Sequence, residues 1–173
     1  FQYLRSYTNK ESIAVLSGSL VIIHKSILKA FNAIVDSNHF SLEPIQIDSD
    51  FIKITTKKKT KKGIVSIITK LFEDGNIKVL VGTKSLLGEG WDAPSINSLI
   101  LASNIGSFVS SNQMRGRAIR VKQANKTGHI WHLASIDITH KNGGEDISKL
   151  TQRFEAFTGL SVVDTTIKNG IKR

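Results

Sequence analysis

The amino-acid sequence predicts an α/β domain in three layers, with a mainly parallel central sheet and helices on both faces. Two observations carry that expectation. Continuous apolar runs of strand length recur along the chain, as in SLVIIH at 19–24 and KVLV at 78–81, and the lack of polar alternation suits strands covered on both faces. Between such runs lie segments whose apolar residues fall three and four apart, the period of a helix with one buried face. Strands alternating with helices imply right-handed crossovers between parallel neighbours.

The elements follow in order. Residues 1–16 have helix-like spacing at Leu4, Tyr7 and Ile13, and 1–18 are expected to be a lead-in helix or a linker remnant. The first residue is Phe1 rather than Met, which suggests a piece of a longer protein. Ser19 to His24 reads as a strand, and Ser26 to Val35 as a helix with Ile27, Leu28, Phe31, Ile34 and Val35 on one side. Strand material is expected around Ile45 to Ile47, with Pro44 at its start. The lysine run from Lys53 through Lys57, Lys58, Lys59, Lys61 and Lys62 either contacts phosphates or is a solvated loop.

Gly63 to Asp74 is expected to be helical, ended by Gly75-Asn76, and Ile77 to Val81 to be the next strand. Ser98 to Ala102 gives another strand, and a helix carrying Arg115, Arg117 and Arg120 follows. Thr127 to Ser135 reads as a strand, and Ile147 to Phe157 as a closing helix stopped at Gly159. The expected working domain is 19–160, with 161–173 an extension.

Composition narrows the function classes. At 173 residues the chain suits one domain with a real core. Its 40% hydrophobic content and mean hydropathy of -0.07 describe a soluble globular protein, and no apolar run approaches the roughly 18 to 20 residues that span a bilayer. No membrane partner is expected. Zero cysteines exclude disulfides and zinc-cysteine sites and fit a cytoplasmic setting. The 24 basic against 14 acidic residues, net +10 with a pI near 9.9, favour a polyanion, nucleic acid above all.

Candidate chemistry gathers between 78 and 122. Two apolar strands there deliver a glycine-punctuated loop and an arginine-bearing helix towards one edge of a sheet, where open α/β sheets place their sites. Arg117 and Arg120, three apart, are expected on one helical face, with planar guanidinium groups that match phosphate oxygens. Arg115, two residues from Arg117, cannot share that face. Gly88 and Gly90 permit a tight turn and Pro94 stops a helix. Glu89 and Asp92 between them offer acceptors, or stand as solvated turn residues.

Thr83, Lys84 and Ser85 follow a strand, where hydroxyls and backbone N–H groups can bind a nucleic-acid phosphate. Trp91 is expected to pack, with base stacking the alternative. His129 and His132 fall on opposite faces of a strand and do not make a metal site. The third glycine of a dinucleotide fingerprint is absent after Gly90, which argues against a Rossmann dehydrogenase.

GTKSLLGEGWDAP at 82–94 resembles motif V, and QMRGRAIR at 113–120 resembles motif VI, of the second RecA-like domain of superfamily 2 helicases and translocases. The nearest-looking members are DEAD/DEAH-type proteins grouped with restriction-enzyme helicase (Res) subunits, and the likeness runs from about Ser19 to Ile136. It implies a RecA-like, P-loop NTPase-type fold. It also implies that Arg117 and Arg120 are arginine fingers reaching the γ-phosphate of ATP, with Gln113 near the nucleotide. Asp92 would contact the ribose or couple domains, Glu89 would hold the motif together, and Gly90 would belong to the same interdomain loop.

Thr83 and Ser85 compete for the nucleic-acid threonine of motif V, with Lys84 beside them, and Arg115 serves nucleic acid, the partner domain or solvent. The sequence has neither a Gly-Lys dipeptide nor Asp-Glu after an apolar strand, so it offers half of an ATPase site. ATP and Mg2+ would be held mainly by an N-terminal RecA-like domain of the same parent, and DNA is favoured over RNA. Alone, the chain is expected to hydrolyse essentially no ATP. The alternative is a non-catalytic basic domain that binds nucleic acid or a partner.

Overall fold

The computed structural model describes residues 1, 3–7, 9–18, 20–35, 39–56, 61–87, 91–102, 108–120, 126–161 and 163–170. Two compact units divide the chain, Phe1–Ser95 and Ile96–Arg173. The boundary falls inside the stretch expected to be one domain.

In the first unit a short helix α1 (Leu4–Tyr7) precedes β1 (Ile13–Ser17) and β2 (Leu20–His24). Helix α2 (Leu28–Ile34), β3 (Phe40–Ile45), β4 (Asp48–Thr56), α3 (Lys61–Glu73), β5 (Val79–Gly82) and α4 (Lys84–Leu87) follow. The five strands form one sheet in the order β3-β4-β2-β1-β5. Only β1 and β5 pair in parallel; β1 with β2, β2 with β4 and β3 with β4 are antiparallel.

This corrects the expectation of a mainly parallel sheet, and connection length is the reason. Gly18, at φ +35°, and one further residue join β1 to β2, while Gln46 and Ile47 join β3 to β4. Two residues can close only an antiparallel hairpin, because a parallel crossover needs a dozen or more. Residues 13–17, expected within a lead-in segment, are instead a strand inside the sheet. Pro44 sits on the edge strand β3, beside a register shift at Pro44/Ile45, where a missing N–H costs least.

Alternate strand residues face opposite sides. Ala14, Leu16, Val21, Ile23 and Ile54 meet Ile27 and Phe31 of the α2 region and Ile64, Ile68 and Leu71 of α3 in one core. Ile13, Val15, Ile22 and Phe51 form a second cluster on the other side. Within this unit, then, both α2 and α3 cover one face, where helices on both faces were expected. Helix α3 ends as its sequence requires: Asn76 N–H reaches Leu71 O at 2.9 Å, Gly75 N–H reaches Phe72 O at 3.1 Å, and Gly75 takes φ +79°.

The second unit holds β6 (Ser98–Leu101) parallel to β7 (His129–His132), with α5 (Phe108–Ala118) in the crossover between them. Helix α6 (Glu145–Glu155) and a hairpin of β8 (Thr158–Leu160) and β9 (Ile167–Asn169) complete it. Helix α6 ends before the expected stop, and Gly159 lies within β8. Part of the expected extension is therefore paired strand. No helix among the described residues is long and apolar enough to cross a membrane.

Candidate nucleotide and nucleic-acid site

Strand β5 ends at Gly82, and Thr83, Lys84 and Ser85 follow it directly, all exposed. The Thr83 and Ser85 hydroxyls lie 3.4 Å apart. Two neighbouring hydroxyls, with exposed Lys84 between them in sequence, thus follow the carboxyl end of a strand, a set of groups suited to phosphate oxygens. Gly88, Glu89 and Gly90 lie outside the described residues, as do Lys57, Lys58 and Lys59.

The loop carrying Asp92 is stapled to α3 at both ends. Trp91, 8% exposed, donates from Nε1 to Thr69 Oγ1 at 2.7 Å, and its ring lies 6.3 Å from that of Phe72. Glu73 Oε1 accepts from Ser95 N at 2.9 Å and from Ser95 Oγ at 2.6 Å. Thr69, Phe72 and Glu73 are three and four apart, so they share one helical face, and Phe72 also packs against the core cluster of Ile64, Ile68 and Leu71. Between buried Trp91 and buried Ala93, Asp92 is left exposed. Trp91 is therefore a packing residue. Nothing in the local sequence marked Thr69 and Glu73, because a polar residue on a surface helix reads as solvated.

Helix α5 turns Ser111, Met114, Arg117 and Ala118 inwards, with Met114 packed on Leu101 of β6. Gln113 is exposed. Arg117 is only 9% exposed, whereas Arg120 lies beyond the last helical residue and is exposed. The expected common helical face for Arg117 and Arg120 is corrected: the helix ends at Ala118, and the two side chains differ in burial. Arg115 lies over Phe157, two residues past α6, with its guanidinium carbon 4.0 Å from the ring centre and Nη1 3.4 Å from Asn112 Oδ1. Burial draws its pKa down from the ordinary arginine value.

His129 is exposed at the start of β7, and His132 at its end meets Arg153, with Nη1 2.9 Å from His132 Nδ1. Among the described residues no cluster of His, Cys, Asp or Glu is placed to hold a metal ion.

The class these features define is an α/β protein that presents hydroxyl, ammonium and guanidinium groups at strand and helix ends. The family model of the helicase conserved C-terminal domain matches residues 8–122, about two thirds of the chain. This chain belongs to that family, which makes it part of a helicase with a RecA-like α/β fold. Helicases of this family generally use ATP with Mg2+ and bind nucleic acid. The match takes in β1 and ends two residues beyond Arg120. No curated protein and no solved structure matches the chain.

Proposed function

We propose that this chain is the C-terminal RecA-like domain of an ATP-dependent superfamily 2 helicase or translocase, of DEAD/DEAH type and akin to Res subunits. The working domain begins at β1, since that strand lies within the sheet, and runs to about 160. ATP sits between it and an N-terminal RecA-like domain of the same parent. The observation that carries this reading is the exposure of Gln113 and Arg120 on and just beyond α5, the helix near which the family match ends.

Arg120 meets the γ-phosphate and Gln113 the nucleotide, while the stapled loop offers Asp92 to the ribose or the partner domain. Arg117 starts buried, so it engages phosphate only if α5 shifts on closure. Mg2+, which neutralises phosphate charge in such sites, is assigned to the partner domain, since the sequence has no Asp-Glu after an apolar strand. Thr83, Lys84 and Ser85 grip the nucleic-acid backbone, with DNA the favoured strand, in the cytoplasm. Closing on ATP and opening after hydrolysis alternates that grip and gives stepwise movement.

One observation favours a second reading. A buried Arg117 is also what a basic binding module would keep as a structural residue. Nucleic-acid-stimulated ATP hydrolysis by the full-length parent separates the two. Arg120→Ala is expected to lower kcat on the order of 10³-fold, with nucleic-acid binding retained. Unchanged hydrolysis in Arg120→Ala, or none in the wild type, leaves the binding module as the better account.

A further inference from the structure

Two arginines and a histidine lie near one another in the second unit, with no acid paired to them among the described residues. Arg153 of α6 is 8% exposed, and its Nε is buried without a hydrogen-bond partner. Arg115 of α5 lies over Phe157, and its Nε is buried and unpartnered as well. His132 of β7 bridges to Arg153 at 2.9 Å and lies edge-on to Phe154, ring centres 5.3 Å apart. Burial first, then the charges of Arg153 and Arg115, hold the His132 pKa below its ordinary value. Burial lowers the Arg115 pKa, and none of the ion pairs among the described residues joins a carboxylate to either guanidinium.

Buried cations without a counter-charge are costly, and proteins keep them where an anion completes the site. We infer that Arg115, Arg153 and His132 form a binding site for a phosphate dianion, hydrogen phosphate or a terminal phosphomonoester. The donor set selects this chemistry. Arg153 is a donor only, so His132 Nδ1 accepts from it and the imidazole proton sits on Nε2. That leaves an imidazole N–H and the unpaired Nε–H groups of two guanidiniums, with two positive charges for two negative ones. A carboxylate, with one charge, satisfies one fork and leaves the other uncompensated. Arg153 of α6 and His132 of β7 lie outside the residues that the family model matches, and Arg115 lies within them.

Two sources share this chemistry, free inorganic phosphate and the terminal phosphate of a nucleic-acid strand. The test titrates the full chain with inorganic phosphate against chloride at equal ionic strength, following Tm and the His132 ring protons by NMR. Phosphate is expected to raise Tm by about 3 °C at tenfold its dissociation constant and to shift the His132 signals saturably. Arg153→Gln and Arg115→Gln should each abolish both effects. Should Arg153→Gln fail to fold, Arg115→Gln and the wild-type His132 titration decide the matter. A 5′-phosphorylated oligonucleotide that competes better than its 5′-hydroxyl twin identifies the strand terminus as the source, and equal competition identifies free phosphate. No saturable response to phosphate, or the same response in Arg115→Gln, overturns the site.

Discussion

Glu73→Ala tests how the Asp92 loop is held. One carboxylate oxygen receives both the backbone N–H of Ser95, at 2.9 Å, and its hydroxyl, at 2.6 Å. A hydrogen bond to a charged group contributes about 1.5–3 kcal/mol, but both residues are half-buried, so solvent recovers part of that. The two bonds together are therefore worth about 1–2 kcal/mol, a Tm loss of about 2–4 °C per kcal/mol for a chain of this size. Ser95→Ala, which keeps the backbone donor, should lose about half as much.

Urea unfolding followed by tryptophan emission measures it, in a Trp131→Phe background so that buried Trp91 reports alone. The midpoint should fall with an unchanged slope. A Glu73→Ala loss of under about 0.3 kcal/mol, within the scatter of ordinary surface changes, would refute the staple.

Phe51→Ala should cost about 3–5 kcal/mol, since Phe51 is fully buried between Phe1 and His24 with ring centres 5.0 and 5.2 Å away; thermal unfolding reads it. Gly75→Ala should cost about 1–2 kcal/mol from backbone strain alone, because φ is +79° and the space beside it is open. Chemical denaturation of Gly75→Asn, which tolerates that conformation better, should show a smaller loss. The hydrogen bond from Lys10, then that from Lys25, draws the Asp50 carboxyl from 3.8 to about 2. Its folded pKa is depressed, so its stabilisation is complete above the unfolded value and lost as pH falls from about 4 to 2; Asp50→Asn should flatten that part of an acid titration. Burial lowers the His24 pKa below 6.5. The unfolded chain therefore takes up its proton first, and stability should fall as pH drops below about 6.5, a step that His24→Gln removes.

Elements with strong local signals were legible. The SLVIIH run became β2, the apolar face of 63–74 became α3, and Gly75-Asn76 became its cap. Strand β1 was hidden because Leu4, Tyr7 and Ile13 suggested a helix, although IAVL, Gly18 and LVII together form a hairpin pattern. The parallel expectation failed at the same place, since pairing direction depends on the two-residue connection rather than on the apolar runs. Arg120 was expected on the helix by spacing alone, and spacing does not mark where a helix frays. Arg153 gave no signal, because its partner His132 is 21 positions away and meets it only in the folded chain.

The most direct test of the motor account is nucleic-acid affinity of the full-length parent in two nucleotide states. Dissociation constants are measured with a non-hydrolysable ATP analogue and with ADP, for wild type and Arg120→Ala. The account predicts at least about a tenfold difference between the states in wild type, a coupling of about 1.4 kcal/mol, and its loss in Arg120→Ala. Equal affinity in both states for the wild type contradicts it.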